Sequence, residues 1–169
     1  LEDPEQAYDA LSVAWSLDYT DKATWMELER VTRATGKWND LLTAAQEALQ
    51  EAEDQETQIA LCLQCARWYG QELNHPDYAI PYFEQVRALD PTNVDAMVST
   101  ADLYEATQQY TELAQTLGAI VGATDRADVI ADTYVRMGDL SVSHLGVPEQ
   151  APGYYQKALD ADPSHLPAL

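Results

Sequence analysis

Apolar and polar positions alternate with a helical period along almost the whole chain. Ala7, Leu11 and Ala14 recur at i, i+4, i+7, and Trp25, Leu28 and Val31 at i, i+3, i+6. The same stripe appears in Leu41, Leu42, Ala45, Ala48 and Leu49, and in Ile59, Cys62, Leu63, Ala66 and Tyr69. It continues in Ala79, Phe83 and Val86, then Met97, Ala101 and Tyr104, then Leu113, Leu117 and Ile120, then Ala151, Tyr155 and Ala158. Each stripe is one face of an amphipathic helix. Punctuation lies between them. Gly36 and Gly146 stand just past helix ends, Thr124-Asp125 is an N-cap signal, and Pro4, Pro76 and Pro148 stand at first helical positions. Asp90-Pro91 and Asp162-Pro163 stop helices, because a residue before proline avoids the α region. The pattern predicts nine helices.

The helices fall into register. Residues 75–91, HPDYAIPYFEQVRALDP, are echoed by 3–19 and by 147–163. Pro4, Pro76 and Pro148 are 72 residues apart, as are Ala7, Ala79 and Ala151, then Leu11, Phe83 and Tyr155, then Asp18, Asp90 and Asp162. Equal spacing without gaps marks a repeat architecture. The predicted organisation is a second-type helix without a first partner over 3–19, hairpins over 22–54, 56–91, 93–124 and 126–163, and the start of a further helix over 164–169. The hairpins alternate in type, so the period is two hairpins.

Particular residues carry a family resemblance. Ala79-x-x-x-Phe83 with Leu89-Asp90-Pro91, and Ala151-x-x-x-Tyr155-x-x-Ala158 with Asp162-Pro163, resemble the second helix of a tetratricopeptide repeat (TPR) hairpin. Tyr134-x-x-Met137-Gly138 and Cys62-x-x-Cys65-Ala66-x-x-Tyr69 resemble its first helix. Trp25-x-x-Leu28, and Met97 with Tyr104, match more weakly. The resemblance implies an all-α, right-handed superhelical solenoid and a protein-binding role, and the alternating LDP and ADP closures are similar to TPR arrays of large bacterial proteins. It also implies that certain first-helix positions line a concave groove for peptide ligands. Here those positions are Met26, Arg30 and Arg33, then Leu63, Arg67 and Gln71, then Val98, Asp102 and Glu105, then Val135, Asp139 and Ser143. The groove so placed is basic in its N-terminal half and acidic in its C-terminal half. The Lys/Asn pattern of TPRs that clamp a C-terminal carboxylate is absent, with Met26, Arg30, Leu63 and Arg67 in its place.

Composition narrows the function. The chain of 169 residues is 46% apolar, enough to bury a core, and its net charge is −20. Such a field repels nucleic acid and anionic membrane and favours basic partners. There is no apolar run of transmembrane length. The chain opens on Leu1 rather than Met, so a piece of a longer array is expected. Cytoplasm is the default location, with periplasm or secretion left open.

Candidate chemistry is sparse. Cys62 and Cys65 have the spacing of a zinc half-site, but there is no second cysteine pair and His75, His144 and His165 are scattered, whereas a structural zinc needs four ligands. Both cysteines fall on core positions. The seven glycines form no phosphate loop, and no nucleophile–base pair can be argued, so no catalysis, metal or cofactor is expected. Trp68, next to core Tyr69 on a different helical face, is expected to be exposed or to line a groove. Three roles remain: a scaffold binding a partner helix or extended peptide, a spacer with no ligand of its own, and a module that self-associates through uncapped ends.

Overall fold

The computed structural model describes residues 3–168. Among these, nine α-helices follow in order: α1 (Pro4–Leu17), α2 (Lys22–Thr35), α3 (Trp38–Glu51), α4 (Gln55–Arg67), α5 (Pro76–Leu89), α6 (Val94–Ala106), α7 (Tyr110–Ala123), α8 (Ala127–Ser143) and α9 (Ala151–Ala161). The architecture is an all-α helical-repeat solenoid in which each helix packs on its chain neighbours.

The 72-residue register extends to the joints. Helices begin at residues 4 and 76, 22 and 94, 38 and 110, and 55 and 127. Left-handed backbone follows the same spacing: Gly36 (φ 74°) answers Gln108 (φ 60°), and Asn74 (φ 54°) answers Gly146 (φ 67°). Such a residue closes a helix by letting the chain reverse. Past α4 the final turn, Trp68–Glu72, widens, with Leu73 N donating to the Trp68 carbonyl at 3.0 Å and His75 N to that of Tyr69 at 2.7 Å. The same pair recurs at Leu145 to Leu140 (3.0 Å) and Val147 to Ser141 (3.2 Å). The helix expected over 126–145 therefore ends at Ser143, with Gly146 two residues further on than a simple cap.

Three copies of an aspartate turn join second helices to first helices. Asp18, Asp90 and Asp162 each accept the backbone N–H and the hydroxyl of the residue two ahead: Thr20 (2.9 and 2.6 Å), Thr92 (3.0 and 2.7 Å) and Ser164 (2.9 and 2.7 Å). These bonds hold all three carboxyls below the ordinary aspartate range, the hydroxyl contributing most. A depressed folded pKa means stability present above the unfolded value, about 3.9, and lost as pH falls through the folded one. Asp90→Ala is therefore expected to lower the melting temperature at pH 7, with the gap to wild type narrowing as pH falls below the unfolded aspartate value of about 3.9. Thermal melts at pH 7 and at a pH well below that value check this, and an equal gap at both would reject the carboxylate as its source.

Proline placement has two outcomes. The third copy opens with a 3₁₀ turn, Pro148–Gln150, so Pro152 falls in the first turn of α9, where no N–H partner is lost. Pro81 lies inside α5. The further helix expected from residue 164 is a 3₁₀ turn, Leu166–Ala168, and residue 169 lies outside the described residues.

The core runs along the solenoid. Leu28, Val31, Leu41, Leu42, Ala45, Leu61 and Cys65 form its first part, joined by Trp15 of α1 and by Trp68. Cys62, Ala66, Ala79, Phe83, Val86 and Ala96 continue it, and Met97, Ala101, Tyr104, Leu113, Leu117, Ile120 and Leu140 follow. Helix α1 turns its expected stripe only partly inward, with Ala7 and Leu11 packed half-buried against the core. Tyr8 and Trp15 are buried, while Ala14 is exposed with Val13 and Leu17. Trp68 is fully buried, contrary to the sequence expectation, because Trp15 closes over it at 6.0 Å between ring centroids. Among the described residues no helix is long and apolar enough to cross a membrane.

Candidate partner-binding groove

The first helices α2, α4, α6 and α8 line one face, and depressions lie between them. Between α2 and α4 a pocket of about 380 Å³ is floored by Trp25, Ile59, Ala60 and Leu63, with Lys22, Glu56 and Arg67 around it. Between α4 and α6 lies one of about 280 Å³ containing Leu63, Ala66, Arg67, Gln71, Phe83 and Asp102. Between α6 and α8, Val98, Val129, Asp132, Val135 and Arg136 line about 250 Å³. A last one of about 100 Å³ is bounded by Glu105, Tyr110, Arg136, Asp139, Ser143 and His144.

The structure brings nine of the twelve expected groove residues onto these depressions: Leu63, Arg67, Gln71, Val98, Asp102, Glu105, Val135, Asp139 and Ser143. Met26, Arg30 and Arg33 line none of them, although all three are exposed on α2.

The expected charge polarity is altered by partners the sequence reading omitted. Arg30 is tied to Glu27 of its own helix at 2.6 Å. Arg33 grips Glu72 with two bonds of 2.8 and 2.7 Å and donates to Glu29 at 2.9 Å. Arg67 reaches Glu29 at 3.2 Å and lies 5.5 Å over the Trp25 ring. Two buried or half-buried carboxylates thus neutralise two guanidiniums, and the bidentate contact with Arg33 holds the Glu72 carboxyl below its usual range. The N-terminal half is consequently not basic. Glu29 had a readable signal: it stands where the other hairpins place the small residues Ala66, Ala101 and Gly138.

The acidic half keeps its sign. Arg136 spans Asp102 (2.8 Å) and Glu105 (2.7 Å) from the neighbouring helix. Asp139 accepts the Tyr155 hydroxyl at 2.7 Å, and Asp132 lies 3.2 Å from His165 Nε2. Of these four carboxylates, Asp102 and Glu105 pair with the Arg136 guanidinium and Asp132 and Asp139 do not.

The buried cysteines sit behind this face. Burial pushes the Cys62 thiol up to about 11 and Cys65 to about 12, which suppresses the thiolate needed for metal binding or redox work. Among the described residues no three His, Cys, Asp or Glu side chains gather as metal ligands.

No protein-family model matches the chain, and no curated protein matches it. Solved structures do. The chain is similar to YrrB, described as a TPR protein with an unusual peptide-binding site, at 18% identity over 98% of this chain and 81% of YrrB, with a TM-score of 0.61. BtubC from P. vanneervenii matches at 14% identity over 95% of this chain and 71% of its own, TM-score 0.65. MamA matches at 19% identity over 81% and 75%, TM-score 0.61. These likenesses show the fold, that of a TPR-type repeat protein.

Proposed function

We propose that this chain is a protein–protein interaction scaffold that takes a segment of a partner protein into the groove along α2, α4, α6 and α8. The observation that carries the reading is the apolar pocket at Trp25, Ile59, Ala60 and Leu63. A spacer array needs no accessible apolar or aromatic anchor, whereas a binding surface concentrates its affinity in such anchors. The likeness to a structure described as having a peptide-binding site supports the same choice. The reading requires no cofactor, metal or catalytic group. The net charge of −20 opposes a nucleic-acid partner.

Leu63→Glu is expected to test the reading directly. Leu63 is half-buried and borders two of the depressions, so a carboxylate there fouls both without entering the core. Peptides selected on the wild-type chain from a random display library should bind the variant at least 10-fold more weakly by isothermal titration, with helix content unchanged by circular dichroism. Equal affinity for the variant would place binding elsewhere and remove the proposal.

A further inference from the structure

We infer that the groove selects a bipartite segment: a bulky apolar residue seated between α2 and α4, and lysine or arginine at least about five to six residues away, over the carboxylates between α6 and α8. The inference rests on the groove reading proposed above and deepens it.

The first observation is a reversal of charge across the repeat. One period apart, Arg30 answers Asp102, Arg33 answers Glu105, and Arg67 answers Asp139. The helix starts and turns hold their register over the same step. Groove positions thus change sign on a scaffold that does not change, which is a difference in the surface and not in the fold.

The second observation is how much of each charge is already used. At the α2 end, Arg30, Arg33 and Arg67 are all paired with Glu27, Glu29 or Glu72. Arg67 also lies on the Trp25 ring, and Lys22 stands at the rim. This end offers apolar area whose cations are already paired and whose rim carries Glu56 as well as Lys22, so it gives a charged residue no net attraction. At the α8 end, Arg136 is occupied by Asp102 and Glu105, and Asp132 and Asp139 are exposed, meeting His165 and the Tyr155 hydroxyl but, among the described residues, no guanidinium or ammonium. A basic side chain gains there, and charge complementarity of this kind fixes register and partner choice.

The spacing follows from the packing. The first helices are joined through the second helices that lie between them in the chain. Consecutive first helices are therefore at least one packing distance apart, about 8–10 Å, and the two subsites, two such steps apart, are separated by at least about 16–20 Å. An extended chain advances about 3.3–3.6 Å per residue, so bridging the two subsites takes at least about five to six residues.

The test uses synthetic dodecapeptides, N-acetylated and C-amidated, on a Gly/Gln background. One set carries a tryptophan and two lysines six or more residues away, in both orders; others carry the tryptophan alone, the lysines alone, or both adjacent. Fluorescence anisotropy is read with the wild-type chain, with Leu63→Glu, and with Asp132→Asn/Asp139→Asn, all checked by circular dichroism. The expected result is that one order of the spaced peptide binds at least 10-fold tighter than the single-module and adjacent peptides. The asparagine pair should erase the lysine contribution only, and that contribution should weaken at 500 mM salt, as screening requires. If the tryptophan peptide binds equally well without lysines and loses binding on Leu63→Glu, the groove reading stands and the bipartite inference is overturned. If neither these peptides nor a random library gives a Leu63-dependent binder, the groove reading falls and takes the inference with it.

Discussion

Replacing Trp15 with alanine is expected to destabilise the N-terminal end of the solenoid by about 3–5 kcal/mol, the usual range for truncating a buried aromatic. Trp15 is the side chain through which α1 reaches past its neighbour to α4. Its ring lies 4.8 Å from Tyr19 and 6.0 Å from Trp68, and its indole N–H donates to Gln64 Oε1 at 2.8 Å. Gln64 in turn donates to the Tyr19 carbonyl at 2.6 Å, so one buried amide ties the end of α1 to α4. Alanine leaves a cavity above Trp68 and strands the Gln64 carbonyl oxygen, and an unpaired buried acceptor costs about 1–3 kcal/mol by itself. Trp15→Phe separates the two terms, since it keeps most of the apolar area and loses only the donor. In a repeat array each unit contacts only its neighbours. The loss should therefore appear first as hydrogen exchange over Pro4–Leu17, before α6 to α9 respond. A cost below about 1 kcal/mol, or uniform loss of protection along the chain, would show that α1 is not held in this way.

The repeat was legible because its joints are made of residues with few alternatives. Proline at positions 4, 76 and 148 fixes φ, aspartate at 18, 90 and 162 closes a hydrogen-bonded turn, and glycine at 36 and 146 permits a left-handed backbone, so equal spacing in sequence became equal spacing in space. Gln108 and Asn74 show the limit of that reading. They adopt the left-handed backbone of their glycine counterparts, and Gln108 carries no sequence sign of doing so. Trp68 was misplaced for a different reason. Its own helix leaves it off the main stripe, and what covers it is Trp15, distant in sequence and on a helix with no first-helix partner in the chain. The sequence could name candidate groove positions but not how their charges are paired. Glu29, Glu72 and Arg136 decide which cations and carboxylates remain unpaired, and apart from the i,i+4 pair of Glu29 with Arg33 their partners lie outside their own elements and any local periodicity.

Gly138→Leu is expected to destabilise the chain by about 1–3 kcal/mol, the usual penalty for overpacking, while Gly118→Ala should stabilise it by about 0.8–1 kcal/mol. Both are helical glycines, and the ordinary expectation for each is a gain on adding a side chain, since glycine weakens a helix interior. What separates them is the neighbour. A Cβ built on Gly138 falls 2.5 Å from Cε1 of Tyr155 and 2.9 Å from its Cζ, whereas nothing lies within 4 Å of the equivalent point on Gly118. The Tyr155 ring cannot swing aside freely, because its hydroxyl is bonded to Asp139 on the same helix as Gly138. One period earlier the same crossing is made by Ala66 and Phe83, both buried. The tyrosine ring, tethered at the groove surface, approaches α8 more closely than an alanine would allow. Gly138 is therefore the residue that lets α9 pack on α8 while Tyr155 reaches Asp139. At about 2–4 °C per kcal/mol for a chain of this size, opposite shifts in melting temperature for the two variants are readily measured. A double-mutant cycle with Tyr155→Ala should recover most of the Gly138→Leu penalty, since residues in contact couple by about 0.5–3 kcal/mol. Additive effects would mean that the clash is relieved elsewhere and that the α8–α9 crossing does not depend on this glycine.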